Sequence, residues 1–137
     1  MELGTRLGVS LSPLAIALLL AARPAAAQSA PADSSRSAEG AYSAAQATEG
    51  ENTFRTVCGN CHGTAEFSGQ TFRKIWTGRP VYELFDLVRN AMPLDNPGGL
   101  SRTEYAAVIA YVLKLNGYPA GPAALPVEDA PLRLIRF

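Results

Sequence analysis

Residues 57–63 read Val-Cys-Gly-Asn-Cys-His-Gly, "VCGNCHG". This stretch holds both cysteines and the single histidine of a 137-residue chain, all between Cys58 and His62. Four chemistries compete for such a cluster. A structural disulfide would close a very small loop, which constrains the unfolded chain little. A thioredoxin-like redox pair belongs near a βαβ pattern, and no convincing alternation of a strand occurs here. A structural zinc ion takes four ligands, and only three Cys and His residues exist, so a carboxylate or water would have to complete the set. The fourth reading is C-x-x-C-H as a site of covalent haem attachment. Two thiols a short turn apart suit the two vinyl groups on one porphyrin edge. The next residue, His62, then carries its imidazole to the iron as the proximal ligand. We adopt this reading because it uses every Cys and His in the chain.

Elimination constrains the other axial position. With one histidine, a bis-His iron is excluded within one chain. The only methionines are Met1 and Met92, and Met1 lies in a segment expected to be removed. Met92 is thus the candidate thioether ligand. A core methionine at a helix end is the plainer alternative. Met92 is followed by Pro93 and the irregular stretch Leu94 to Gly99, which can turn a sulfur toward a haem face. A His/Met iron has a raised potential and no open position, which suits electron transfer better than oxygen chemistry.

Outward from the cluster, the pattern is helical. Ser43-Ala44-Ala45-Gln46 and Thr48-Glu49-Gly50-Glu51 are both capping boxes. The earlier one predicts a first helix from about Ala44 to Gly59, with Gly50, Phe54 and Val57 on one face. A short helix is expected around Gln70 to Trp76. The next starts at Pro80, with the stripe Val81, Leu84, Phe85 and Val88, and ends near Ala91, before Met92-Pro93. The last begins at the Ser101/Glu104 capping box and buries Tyr105, Val108, Ile109 and Val112. Asn116-Gly117, followed by Pro119, stops it.

The N-terminal region differs in composition. Arg6 is followed by a mainly apolar run, Val9 to Ala22, and by Ala25-Ala26-Ala27. Residues 1–27 therefore read as a secretory signal peptide, cleaved between Ala27 and Gln28. The run falls short of the roughly 20 residues a bilayer needs, and Pro13 interrupts it. Retention as a membrane anchor is the alternative. Residues 28–42 are Ala- and Ser-rich and read as a disordered linker. The folded domain is then 43–137, about 95 residues, small enough that an apolar cofactor would help it fold. Charge points away from nucleic acid. The chain has 12 basic and 12 acidic residues, and removing Glu2, Arg6 and Arg23 with the signal leaves the balance near zero.

Taken together, the chain resembles a class I c-type cytochrome. Gly50, Phe54, Cys58, Cys61 and His62 have the spacing of that family's first helix, and Ala110-Tyr111 lies where its last helix carries an aromatic. "SGQTFRKIWTGRPVYELFDLVRNAMP" and "PGGLSRTEYAAVIAYVLKLNGYPAG" are similar to small bacterial periplasmic monohaem cytochromes c, some of which accompany dehydrogenases. The resemblance covers about Tyr42 to Phe137. It implies an all-α, cytochrome c-like fold: about three main helices and shorter ones around one covalent haem c. His62 and Met92 would be axial. Trp76 and Arg79 are candidates for propionate contacts, with simple core packing the alternative for Trp76. It implies no enzyme activity but one-electron transport in the periplasm, between a donor such as a dehydrogenase and an acceptor such as a terminal oxidase or another cytochrome. A haem-based gas or redox sensor, or a peroxidase-like enzyme, is the alternative if Met92 does not bind iron. Two departures stand out. Mitochondrial-type members have a proline soon after the histidine, whose carbonyl orients the imidazole. No proline lies between His62 and Pro80, so another carbonyl is expected to accept that proton. The interval from His62 to Met92 is also short for the family, which implies a haem edge more open to solvent.

Overall fold

Ser43 opens the first helix as its capping box requires. Its hydroxyl accepts the Gln46 amide at 3.2 Å, and α1 runs Ala44–Thr56. This computed structural model describes Gly4 and residues 35–137. The expected signal peptide and the linker up to residue 34 lie outside the described residues, apart from Gly4. α1 ends earlier than Gly59. At Cys58–Asn60 the chain tightens into a 3-10 turn, in which the Cys61 and His62 amides both donate to the Cys58 carbonyl, at 3.1 and 2.9 Å. Gly59 and Asn60 are weak helix formers, so the tighter winding wins at the frayed end. A second 3-10 turn, Thr64–Phe67, follows.

Three further helices match the expected segments: α2 Gly69–Trp76, α3 Val81–Ala91 and α4 Arg102–Leu115. Pro80 is the extended N-cap of α3 and not its first helical residue. α4 is the centre of the domain. Every residue from Tyr105 to Leu113 is buried, not only the expected stripe. The reason is that α4 has partners on more than one side, with α1 and α3 both packed against it.

Gly50 sets the crossing of α1 and α4. A Cβ added there would sit 1.8 Å from the Ala107 carbonyl oxygen, so only glycine lets the two backbones meet. One turn further on, Phe54 and Tyr111 pack with centroids 5.6 Å apart, as the paired small and aromatic positions implied.

Two features depart from the elements expected from sequence. The chain after α4, to which no element was assigned, continues in regular structure. It forms a short helix, α5 (Asp129–Leu134), and then β2 (Ile135–Arg136), which pairs in parallel with β1 (Arg36–Ser37). The domain also starts before residue 43. Ala38, Ala41 and Tyr42 are core residues, and the Tyr42 hydroxyl donates to the Tyr118 carbonyl at 2.6 Å. Alanine-rich composition suggested too little surface to bury, but small residues fit where the two ends of the domain close on each other. Gln46 fastens the same region from α1. Its buried amide donates to the Leu125 carbonyl at 3.1 Å and accepts the Leu125 amide at 2.7 Å.

Candidate functional site

α1, α2, α3 and α4 leave between them a cavity of about 760 Å³. Leu84 and Val88 of α3, Val108, Ile109 and Val112 of α4, and the rings of Phe54, Phe67, Phe72 and Trp76 line it. Its size and apolar walls are those of a site for a large cofactor. Cys58, Cys61, His62 and Met92 all line this one cavity.

The tight turn at Cys58–Asn60 brings the two thiols and the imidazole to one wall. Both cysteines are free; Cys58 is half-buried and Cys61 exposed. Burial pushes the Cys58 thiol above its ordinary pKa. Among the described residues no three His, Cys, Asp or Glu side chains converge to hold a metal ion by themselves. A zinc site built from this cluster is therefore unsupported.

His62 has a partner the sequence reading did not identify. Its Nδ1 lies 3.0 Å from Glu66 Oε2, while Glu66 Oε1 accepts the Gly63 amide at 2.7 Å. The expected backbone carbonyl is thus replaced by a side-chain carboxylate. Those two bonds, the His62 one foremost, hold the Glu66 carboxyl below the usual range. The imidazole also meets the Phe67 ring edge-to-face, at 5.4 Å between centroids. A signal existed at Gly63-Thr64-Ala65-Glu66, where a Glu three residues after the N-cap marks the start of a helical turn.

Met92 caps α3. Its amide donates to the Val88 carbonyl at 2.9 Å, and its carbonyl accepts the Tyr105 hydroxyl at 2.6 Å. Tyr105 was legible as a buried residue, but its polar tip was not assigned. Of the two propionate candidates, Trp76 lines the cavity and Arg79 is not among the lining residues. The Arg79 guanidinium lies over the Trp76 ring, 4.3 Å from its centroid, and its Nε donates to Glu83 at 2.6 Å.

Residues 45–112 match the family model described as cytochrome C oxidase, cbb3-type, subunit III, a c-type cytochrome domain. The domain is a class I c-type cytochrome. No curated protein and no solved structure matches the chain. The cytochrome carries covalent haem c with iron, and the residues fit that group: two thiols, an imidazole and a thioether on an apolar cavity of sufficient volume. Its chemistry is haem-based electron transfer. Among the described residues no helix is long and apolar enough to cross a membrane.

Proposed function

We propose that this cytochrome is an exported, periplasmic one-electron carrier, with haem bonded to Cys58 and Cys61 and its iron held by His62 and Met92. The observation that carries the reading is that these four side chains line a single apolar cavity. The haem supplies a one-electron ferric/ferrous couple. The chain's residues do the rest. Val108, Ile109 and Val112 keep water from the site, which disfavours the more highly charged oxidised state. Tyr105 fixes the main chain of Met92. Trp76, with Arg79 stacked on it, is assigned to the propionates. Leu87 and Leu94 line the cavity yet are 55% and 82% exposed, so they form an apolar rim where partners meet it. Encounters there suit small, short-lived interfaces with a periplasmic dehydrogenase as donor and a terminal oxidase or another cytochrome as acceptor.

The test is Met92→Ala. Haem should stay attached, as shown by intact mass after acid–acetone extraction. The ferrous protein should gain affinity for carbon monoxide, and the potential should fall, because thioether ligation favours the ferrous state. A variant that keeps the wild-type potential and still excludes carbon monoxide would remove Met92 from the iron.

A further inference from the structure

We propose that Glu66 is the positioning residue for the iron-binding histidine: its carboxylate accepts the hydrogen bond from Nδ1–H of His62 and makes the imidazole a stronger electron donor to the iron. The inference rests on His62 as the axial ligand and goes beyond it.

The geometry comes first. Glu66 Oε2 lies 3.0 Å from His62 Nδ1, and Oε1 is occupied by the Gly63 amide at 2.7 Å. The two carboxylate oxygens are therefore committed to His62 and Gly63. The turn that carries Glu66 is anchored from the C-cap of α4, because the Asn116 side-chain amide donates to the Phe67 carbonyl at 2.8 Å. Phe67 in turn packs edge-on against Phe54, at 5.6 Å. His62 is thus gripped by a carboxylate at Nδ1 and an aromatic edge on its ring. Among the described residues, His62 is the basic side chain that pairs with Glu66.

The chemistry follows from the acceptor. An ionised carboxylate cannot donate, so Nδ1 must carry the proton. Nε2 is left with its lone pair, which is the atom a metal needs. A charged acceptor makes a hydrogen bond roughly twice as strong as a neutral carbonyl does. It draws the proton toward itself and pushes electron density onto the ring, which raises ligand basicity. A more basic imidazole favours the ferric state. Half-exposure of the carboxylate, at 55%, moderates the effect through solvent screening.

The holoprotein, reduced and labelled with ¹⁵N-histidine, is examined by NMR, and its midpoint potential is measured at one fixed pH. Glu66→Gln keeps an acceptor but removes the charge. Asp95→Asn removes a charge from the same cavity without touching His62. Strong upfield shifts of the His62 ring carbon protons establish that His62 is on the iron. Their absence would overturn the ligand assignment and, with it, the role proposed here for Glu66. With ligation established, the wild-type Nδ1–H should lie far downfield and exchange slowly. In Glu66→Gln it should move upfield and exchange several-fold faster, and the potential should rise by more than in Asp95→Asn. A wild-type Nδ1–H that exchanges freely overturns the proposal even if Glu66→Gln does not fold. So does a Gln variant with an unchanged Nδ1–H and a potential shift no larger than that of Asp95→Asn.

Discussion

The hydroxyl of Tyr105 donates to the carbonyl of Met92 at 2.6 Å and accepts the amide of Leu100 at 3.4 Å. One buried phenol on α4 thus ties both ends of the loop that presents Met92. Removing it leaves the Met92 carbonyl without this partner while the loop keeps its apolar contacts. Tyr105→Phe should cost about 1–2 kcal/mol, the ordinary penalty for a buried hydrogen bond left half-made. With Met92 on the iron as proposed, it should also weaken the red-end absorption band that reports iron–thioether bonding. Chemical denaturation of the oxidised holoprotein, followed at that band and by far-UV circular dichroism, checks both. Full stability and an undiminished band would show that the phenol does not hold the loop.

Gly50→Ala gives a prediction decided by sign. In an ordinary exposed helix interior this change would stabilise by about 1 kcal/mol. Here the new methyl would fall 1.8 Å from the Ala107 carbonyl oxygen. α1 and α4 must part, and the cost should be at least about 1–3 kcal/mol. A urea midpoint lower than wild type is expected. A midpoint equal to or above it would mean that the two helices do not cross at this glycine.

Gln46→Leu should loosen the C-terminal half of the fold without touching the haem cavity. The substitution leaves the Leu125 amide and carbonyl unpaired in a buried site. A loss of about 2–4 kcal/mol follows from two unsatisfied groups. Hydrogen exchange at Leu125 should accelerate more than at Val108 on α4. Uniform acceleration would mean that the pair has no local role.

Acid should erase the advantage of the α4 capping box. Glu104 accepts from the Ser101 amide and hydroxyl, at 2.8 and 2.7 Å, and these bonds hold its carboxyl below the usual range. A folded-state pKa below the unfolded value means that the stabilisation is present above the ordinary Glu pKa of about 4.3. It is lost as pH falls through the folded value. The stability difference between wild type and Glu104→Gln should therefore be constant near neutrality and shrink below about pH 4. Denaturation midpoints of both proteins across that range test this. A difference that persists undiminished in acid would refute the linkage.

Local signals carried most of the helical reading. Ser43, Ser101 and Glu104 announce helix starts through side-chain bonds to nearby amides, and Gly50 and Phe54 mark a crossing through their spacing. The parts that were not legible depend on distant partners. β1 and β2 are two residues each, too short for alternation to show, and each exists because the other is beside it. α5 carries Pro131 within six residues, which hides it from a periodicity argument. Ala38 and Ala41 look like linker until the segment that buries them is in place. At the site, Cys58, Cys61 and His62 were legible because their chemistry is a sequence motif. Met92 emerged by elimination, and it lines the same cavity. Arg79 was assigned by type and position, but the sequence did not reveal that Glu83 and Trp76 engage its guanidinium.

Phe137 packs on Phe72 and Trp76, and its carbonyl accepts the Gly78 amide at 2.8 Å. Phe72 and Trp76 form part of the cavity wall. The wall is thus braced from a part of the sequence far beyond the Cys58–His62 turn, and the cavity closes only when the C-terminal segment has folded back onto α2.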